Sequence, residues 1–445
     1  MLIGHYIVDR GTIVSINRRD RGGGVSRITA VLGGSAGNLV EWFDWYTYSA
    51  AALYFAPIFF PKGDQTAQLL QTAAVFAVGF FARPIGAWLM GLYADRVGRK
   101  AALTLSVTMM CGGSLAIAAT PGAASIGVAA PVILLLARVF QGLSLGGEYG
   151  ASATYISEMA GRRHRGFWSS FHYVTLIGGQ LTALAVLIIL QHLLRKADMA
   201  AWGWRIPFVI GAGLAIVAYW LRRRLPESQS FVRAETEGTV HAGIRQLFLE
   251  HPREVLTVLG FTAGGSMIFY VYTTYMQKFL TNTAGFSKDQ ATEISAVSLV
   301  AFMVAQPFFG WLSDKVGRKP MMLVAFGGGA LVTWPVMTGV AATRSSWIAF
   351  CLIFAAMMIQ SCYTSISAVV KAELFPTAIR TLGVAVPYAL ANAAFGGTAE
   401  YVALWFKSIG SESGFYIYAS AAAAISFLVA LTMSETRVHS RILED

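Results

Sequence analysis

The sequence predicts an all-α integral membrane protein of twelve transmembrane helices, arranged as two pseudo-symmetric halves of six. Three observations carry that reading. The chain of 445 residues is 56% hydrophobic and only 13% charged, with a mean hydropathy of +0.57. Soluble proteins average roughly 25% charged residues, so this chain could not cover its surface in water. Apolar runs of about 20 residues recur along its length, each long enough to span a bilayer at 1.5 Å per residue. Finally, GLYADRVGRK at Gly91–Lys100 returns as GWLSDKVGRK at Gly310–Lys319. Six of the ten positions are identical, and both copies sit between two apolar runs. A duplication of that kind marks a carrier built from repeats.

The predicted spans run near residues 27–55, 69–94, 101–121, 130–156, 166–194 and 204–222, then 253–281, 290–313, 320–341, 346–371, 377–407 and 412–433. Helices are required because every lipid-facing backbone group must pair within its own segment. A β-barrel would show short alternating segments instead. The chain thus divides into an N-terminal extension 1–26, a first half 27–222, a linker 223–252, a second half 253–433 and a tail 434–445. The linker is the only long polar interval.

Charge sets the orientation. Loops after even spans carry Arg96, Arg99 and Lys100; Arg162, Arg163 and Arg165; and Lys315, Arg318 and Lys319. Loops after odd spans are poorer, with Lys62 alone and then Arg195 and Lys196. By the positive-inside rule both termini and the linker are cytoplasmic, and the net charge of +11 reflects topology, with no nucleic-acid partner implied. Residues 1–26 lack the apolar core and cleavage site of a signal peptide. Cys111, Cys351 and Cys362 all lie in apolar runs and are expected as free thiols. No P-loop occurs, which excludes a primary pump. The seven His residues form no metal or nucleophile–base cluster, so no enzyme, metal or cofactor is expected.

The duplication extends past the decamer. Glu158 and Arg165 match Glu373 and Arg380 with the same spacing. Val31-Leu32-Gly33 returns as Val258-Leu259-Gly260, and Thr47-Tyr48 as Thr274-Tyr275. Glu41 and Asp44, however, correspond to apolar positions around Ile268–Val271. Charge inside the bilayer is therefore expected in one half only, for a task beyond scaffolding.

The repeated G-x-x-x-D-R/K-x-G-R-K loop resembles the signature of the major facilitator superfamily, as does Arg138-Val-Phe-Gln141-Gly142 followed by Gly146-Gly147-Glu148-Tyr149-Gly150. Glu41-Trp-Phe-Asp44-Trp-Tyr46, Arg83-Pro-Ile-Gly86 and Trp204-Arg205-Ile-Pro-Phe resemble its metabolite:proton symporter branch. Tyr173–Gln180, Thr274–Lys278, Tyr363–Ser367, Lys371–Pro376 and Asn392–Gly397 are similar to strings of its 2-oxoglutarate permeases. The resemblance covers about residues 27–433. It implies a proton-coupled symporter of the inner membrane that imports a small dicarboxylate such as 2-oxoglutarate, working as a monomer in lipid. Relatives with shared motifs carry citrate, shikimate, proline or betaine. The short tail argues against a compatible-solute carrier, and the lack of an added cytosolic domain argues against a transport-dead sensor.

Ionisable groups in the bilayer are costly and mark function. Counting from the linker side at about 1.5 Å per residue puts Glu148 about 15 Å deep, Arg83 about 18 Å and Glu41 about 21 Å. The hydrocarbon core is about 30 Å thick, so all three fall near its middle. Glu41 and Asp44, three apart, share a helical face. They are candidates with Glu148 for reversible protonation, or else fixed partners of Arg83 or Arg138. Arg83 can hold a carboxylate bidentately, or serve as a structural counter-charge. Arg138, Gln141, Gln180, Tyr363 and Asn392 are further candidate substrate ligands. Lys371 is a second cation for a doubly charged anion, unless it snorkels to the interface. Arg205 either binds substrate or anchors at the interface beside Trp202 and Trp204. The resemblance implies a gate at Asp95, Arg96, Arg99, Asp314, Lys315, Arg318, Glu158, Arg165, Glu373 and Arg380. Its physics is an acid accepting from a helix N-terminus, with cations locking on acids of the other half.

Overall fold

The computed structural model describes residues 27–97, 99–144, 148–223, 243–377 and 379–442; within these, the side chains of 27–37, 91–92, 94–97, 99–103, 148, 151, 159, 218 and 221–223 lie outside the description. The extension 1–26, most of the linker, and the side chains of Asp95, Arg96, Arg99 and Glu148 therefore fall outside it.

The described residues form helices and no strands. In the first half α1 is Arg27–Phe59, α2 Gln65–Val97 and α3 Arg99–Ala119; α4 has two segments, Ala129–Ser144 and Glu148–Met159; α5 is Arg165–Leu193 and α6 Ile206–Arg223. A short helix, Ile244–Glu250, leads into the second half. There α7 is Pro252–Asn282, α8 Lys288–Val316 and α9 Arg318–Ala342. The next span, α10, breaks into Ser346–Thr364 and Ser367–Leu374; α11 runs as Arg380–Ala391, Asn392–Gly396 and Ala399–Ser408; α12 is Glu412–Thr432. Among the described residues seven helices are individually long and apolar enough to cross a membrane, and shorter apolar helices lie at Thr104–Ala119, Ala129–Ser144 and Gly203–Val217.

Local chemistry sets several boundaries. Ser287 and Gln290 form a reciprocal capping box that starts α8. Pro252 opens α7 in its first turn, where a missing N–H costs nothing. Gly317, in the repeated decamer, turns α8 into α9 at φ +106, a conformation that favours glycine. The side chains of Phe81, Ile85 and Trp88 on α2, and of Val300 and Val304 on α8, are exposed. Such apolar faces suit lipid and not water.

Among the described residues the halves meet most extensively where α5 runs along α8, α2 along α11, and α4 against α10 and α11. The first depends on glycine. A Cβ on Gly310 would lie 2.6 Å from the Gly166 carbonyl oxygen, so small residues let these helices touch along their backbones. Below, the linker face is the side of the bundle that carries the repeated decamers, and the distal face is the opposite side.

Two spans depart from regular helix where they meet the centre of the bundle. Val271–Tyr275 in α7 and Asn392–Gly396 in α11 are single π-helical turns. The sequence reading treated both spans as uninterrupted. A π turn displaces the chain by one residue and is frequent at functional sites.

Candidate functional site

A small cavity lies between the halves. It is lined by Glu41 of α1, Arg83 of α2, Tyr149 and Gly150 of α4, and Ala385, Tyr388, Ala389 and Asn392 of α11. Its volume is about 20 Å³, room for about one water. Arg83 is its cationic wall. The guanidinium carbon sits 4.0 Å from the Trp45 ring centre and 4.5 Å from that of Phe80. Glu41 approaches Nη2 at 3.9 Å, an ion pair too long to be a hydrogen bond. Nε and Nη2 of Arg83 are buried with no hydrogen-bond partner. An unsatisfied buried donor is expensive, and two on one planar fork suit a carboxylate.

Asp44 turns elsewhere. It accepts from Ser114 on α3 and, at 2.7 Å, from Gln141 on α4. Gln141 in turn accepts from Arg138 at 2.8 Å. Arg138 is wholly buried, with its guanidinium 3.9 Å from the Trp45 ring and 4.4 Å from that of Tyr48. Asp44, Gln141 and Arg138 thus form a chain inside the first half, and both buried arginines share Trp45. The expectation of one face for Glu41 and Asp44 needs correction. Three residues turn a helix by about 300°, which leaves a divergence of about 60°. That angle sends Glu41 to the cavity and Asp44 into its own bundle.

Among the described residues, contacts cross between the halves on both faces of the bundle. On the linker face Asp314 accepts the backbone N–H groups of Gly166 at 2.8 Å and Phe167 at 2.9 Å, capping α5 from the other half. Arg380 binds Glu158 at 2.5 Å, and Arg165 meets Glu373 at 3.9 Å. On the distal face Lys278 donates to Ser49 at 2.6 Å and pairs with Glu400 at 2.7 Å, while Ser49 donates to Glu400 at 3.0 Å. Tyr46 also donates to the Thr273 carbonyl at 2.9 Å. The central cavity therefore lies between two sets of contacts that cross the halves.

A family model described as sugar (and other) transporter matches residues 30–242 and 233–441. The chain belongs to this family. The transporter is 54% identical to the alpha-ketoglutarate permease of Escherichia coli (strain K12), over 92% of its own length and 94% of the relative's. It is 31% identical to the citrate-proton symporter of Klebsiella pneumoniae, over 84% of both chains. In fold it is similar to the major facilitator superfamily proton:xylose symporter XylE, with a TM-score of 0.72 at 19% identity, covering 90% of this chain and 94% of that one.

Of the candidate ligands of the transporter, Arg83 and Asn392 line the cavity. Arg138 and Gln141 are tied into the Asp44 chain. Gln180 is buried with both amide atoms unpartnered and is not in the cavity wall. Tyr363 packs between Phe326 and Phe261 in the second half. Arg205 does not reach the site. It donates to the Ala118 carbonyl, and to that of Thr120 at 2.8 Å, and so caps the end of α3. Lys371 does not snorkel: it has no exposed surface. Among the gate candidates, Arg318 binds acids of its own half, Asp314 at 2.9 Å and Glu373 at 3.8 Å. Lys315 lies 5.2 Å from the Trp311 ring.

The expectation that buried charge is confined to the first half is overturned. Lys278, Glu400 and Lys371 are buried in the second. Lys278 sits near the distal end of its span, where sequence alone reads an interfacial lysine. Glu400 falls in a mostly apolar run that gave no sign of its partner. The signal available was a Lys and a Glu each embedded in an apolar run. The cavity residue Tyr149, and the stack it makes with Tyr388, were likewise not singled out as a unit.

Proposed function

We propose that this protein is a proton-coupled symporter that imports a small dicarboxylate, 2-oxoglutarate, by alternating access. The observation that carries it is the Arg83 fork: two buried N–H donors without a hydrogen bond, in the wall of a cavity between the halves. A carboxylate satisfies both donors at once, in a dry site where charge-assisted bonds are strong. The likeness to the alpha-ketoglutarate permease and the citrate-proton symporter supports the same class of cargo. The cavity is too small for a five-carbon diacid, so loading requires the halves to move apart.

Glu41, 3.9 Å from Arg83, is the acid that an arriving carboxylate would compete with. A proton on Glu41 frees the fork. Asp44, linked through Gln141 to Arg138, is a second proton site, coupled to Arg83 through the Trp45 ring that both arginines share. Glu148 is a third on sequence grounds. Asn392 and Tyr388 orient the cargo. Asp314, Glu158, Arg165, Glu373, Arg318 and Arg380 close the linker face, with Asp95, Arg96 and Arg99 as their counterparts in the first decamer. Lys278, Glu400 and Ser49 close the distal face. The protein is multi-pass in a bacterial inner membrane, with the linker and both termini cytoplasmic.

The test is counterflow and gradient-driven uptake in proteoliposomes, using labelled 2-oxoglutarate, citrate, shikimate, proline and betaine. We expect 2-oxoglutarate to exchange fastest and its accumulation to collapse with a protonophore. Preference for betaine rejects the cargo, and uptake indifferent to the protonophore rejects the coupling.

A further inference from the structure

Lys371 is a buried lysine without an acidic partner among the described residues. It has 0% exposure. Among the described residues no carboxylate forms an ion pair with it; its ammonium donates to Ser367 Oγ at 2.7 Å and Tyr149 Oη at 2.9 Å. A buried charge held only by neutral groups is costly, and an anion brought beside it offsets that cost.

Its position relative to the cavity is specific. Tyr149 of the first half and Tyr388 of the second stack with ring centres 3.5 Å apart and planes 8° from parallel. Both rings line the cavity that Arg83 faces. The Lys371 ammonium lies 4.5 Å from the Tyr388 ring and 5.1 Å from the Tyr149 ring. The stack is thus shared by the Arg83 cavity and the Lys371 ammonium. The cavity holds only about 20 Å³, whereas small-molecule pockets begin at about 300 Å³.

We propose that Lys371 is the second carboxylate anchor, reached when the Tyr149–Tyr388 stack parts. This rests on Arg83 as the first anchor. A diacid then bridges the halves, with one carboxylate on α2 and the other on α10. A monoacid engages only the first half and leaves Lys371 with its hydroxyls. The pair of anchors therefore sets selectivity for dianions, and the stack acts as a partition that a correct cargo opens.

The experiment compares two ligands by calorimetry on purified protein: 2-oxoglutarate, and 2-oxopentanoate, in which a methyl group replaces the second carboxylate. The parent should prefer the diacid by at least about 10-fold. A parent that binds both equally, or neither, overturns the reading of the cargo before any variant is made. Lys371→Met should weaken the diacid roughly 10- to 150-fold, the usual effect of one charged contact. It should leave the monoacid unchanged, bringing the ratio to about one. Lys371→Arg should keep most of the preference. Equal losses for both ligands, or an intact ratio, would show that Lys371 only holds the fold and would overturn the proposal. If Lys371→Met is not monodisperse, Tyr149→Phe carries the test. It removes the neutral partner that competes with cargo, so the diacid-to-monoacid ratio should rise roughly 2- to 12-fold. An unchanged ratio there also overturns the second anchor.

Discussion

Replacing Glu400 with Gln should open the distal face. Glu400 and Lys278 are both buried, 2.7 Å apart, and their shared partner Ser49 belongs to the other half. Removing one member of a buried pair costs about 3–5 kcal/mol, because the other charge stays buried and alone. Gln keeps an acceptor for Ser49, so the low end, about 3 kcal/mol, applies. That cost falls on states with the distal face shut. In open states water reaches the Lys278 ammonium and solvates it. A bias of about 3 kcal/mol shifts the equilibrium roughly 150-fold toward distal opening. The reporter is a cysteine at Leu53, which is buried and whose carbonyl accepts from Lys288 across the seam. Cys111, Cys351 and Cys362 are first replaced. The rate of labelling by a membrane-impermeant maleimide should rise about 100-fold in Glu400→Gln. The double variant Lys278→Met, Glu400→Leu removes both charges and should return most of the way to the parent, since apolar replacement of a buried pair is often neutral. An unchanged labelling rate in Glu400→Gln would refute the latch. So would a double variant as open as the single one.

Further outcomes follow from the site. Arg83→Lys should weaken 2-oxoglutarate roughly 10- to 150-fold in calorimetry, because the ammonium loses the planar fork; unchanged affinity would remove Arg83 from the cargo site. Asp44→Asn should abolish gradient-driven accumulation in proteoliposomes while exchange persists; if it accumulates like the parent and Glu41→Gln does not, Glu41 is the coupling acid. Asp314→Asn removes the charge from the acceptor of two cross-half N–H groups, so turnover should fall about 10-fold or more with Kd unchanged; a shift in Kd at normal turnover would contradict a gate. Gly310→Leu puts a Cβ 2.6 Å from a backbone oxygen and should abolish transport, read with a thermal-stability scan that should show loss of several degrees.

What the sequence disclosed was whatever repeats or alternates. Two glycines of the second decamer, Gly310 and Gly317, have separate structural reasons, a close helix approach and a positive φ. Both recur in the first copy as letters, so a single chain was enough to notice them. Asp314 is also legible, since an acid ending a helix beside glycine can reach a neighbouring helix terminus. Direction was not legible. Glu41 and Asp44 differ by about 60° around α1, and only packing decides that one meets Arg83 and the other Gln141. Burial was not legible for Lys371 and Lys278, because position along a span cannot tell a snorkelling lysine from a buried one. Their partners lie 222 and 122 residues away in sequence, and no periodicity connects such pairs.

The two halves share a scaffold and divide the chemistry. Two of the repeated elements, the decamer and the Glu–Arg pairs after α4 and α10, lie on the linker face. Transport needs symmetric closure there, and the duplication supplies it: Glu158 pairs with Arg380, and Arg165 with Glu373, each across the seam. The cargo site cannot be symmetric, because a small anion lies against both halves at once in different orientations. Arg83 lines the cavity from α2, while the equivalent region of α8 offers Phe302 and Gln306, the latter tied to Ser361 and Thr364. The second half instead places a buried lysine on α10. A two-fold fold with cations at non-equivalent positions can grip the two ends of one unsymmetric diacid. Two equivalent arginines would grip only a symmetric one equally well. Loss of internal symmetry at the centre, with reciprocal pairs kept on the linker face, is therefore what a carrier of such a cargo requires.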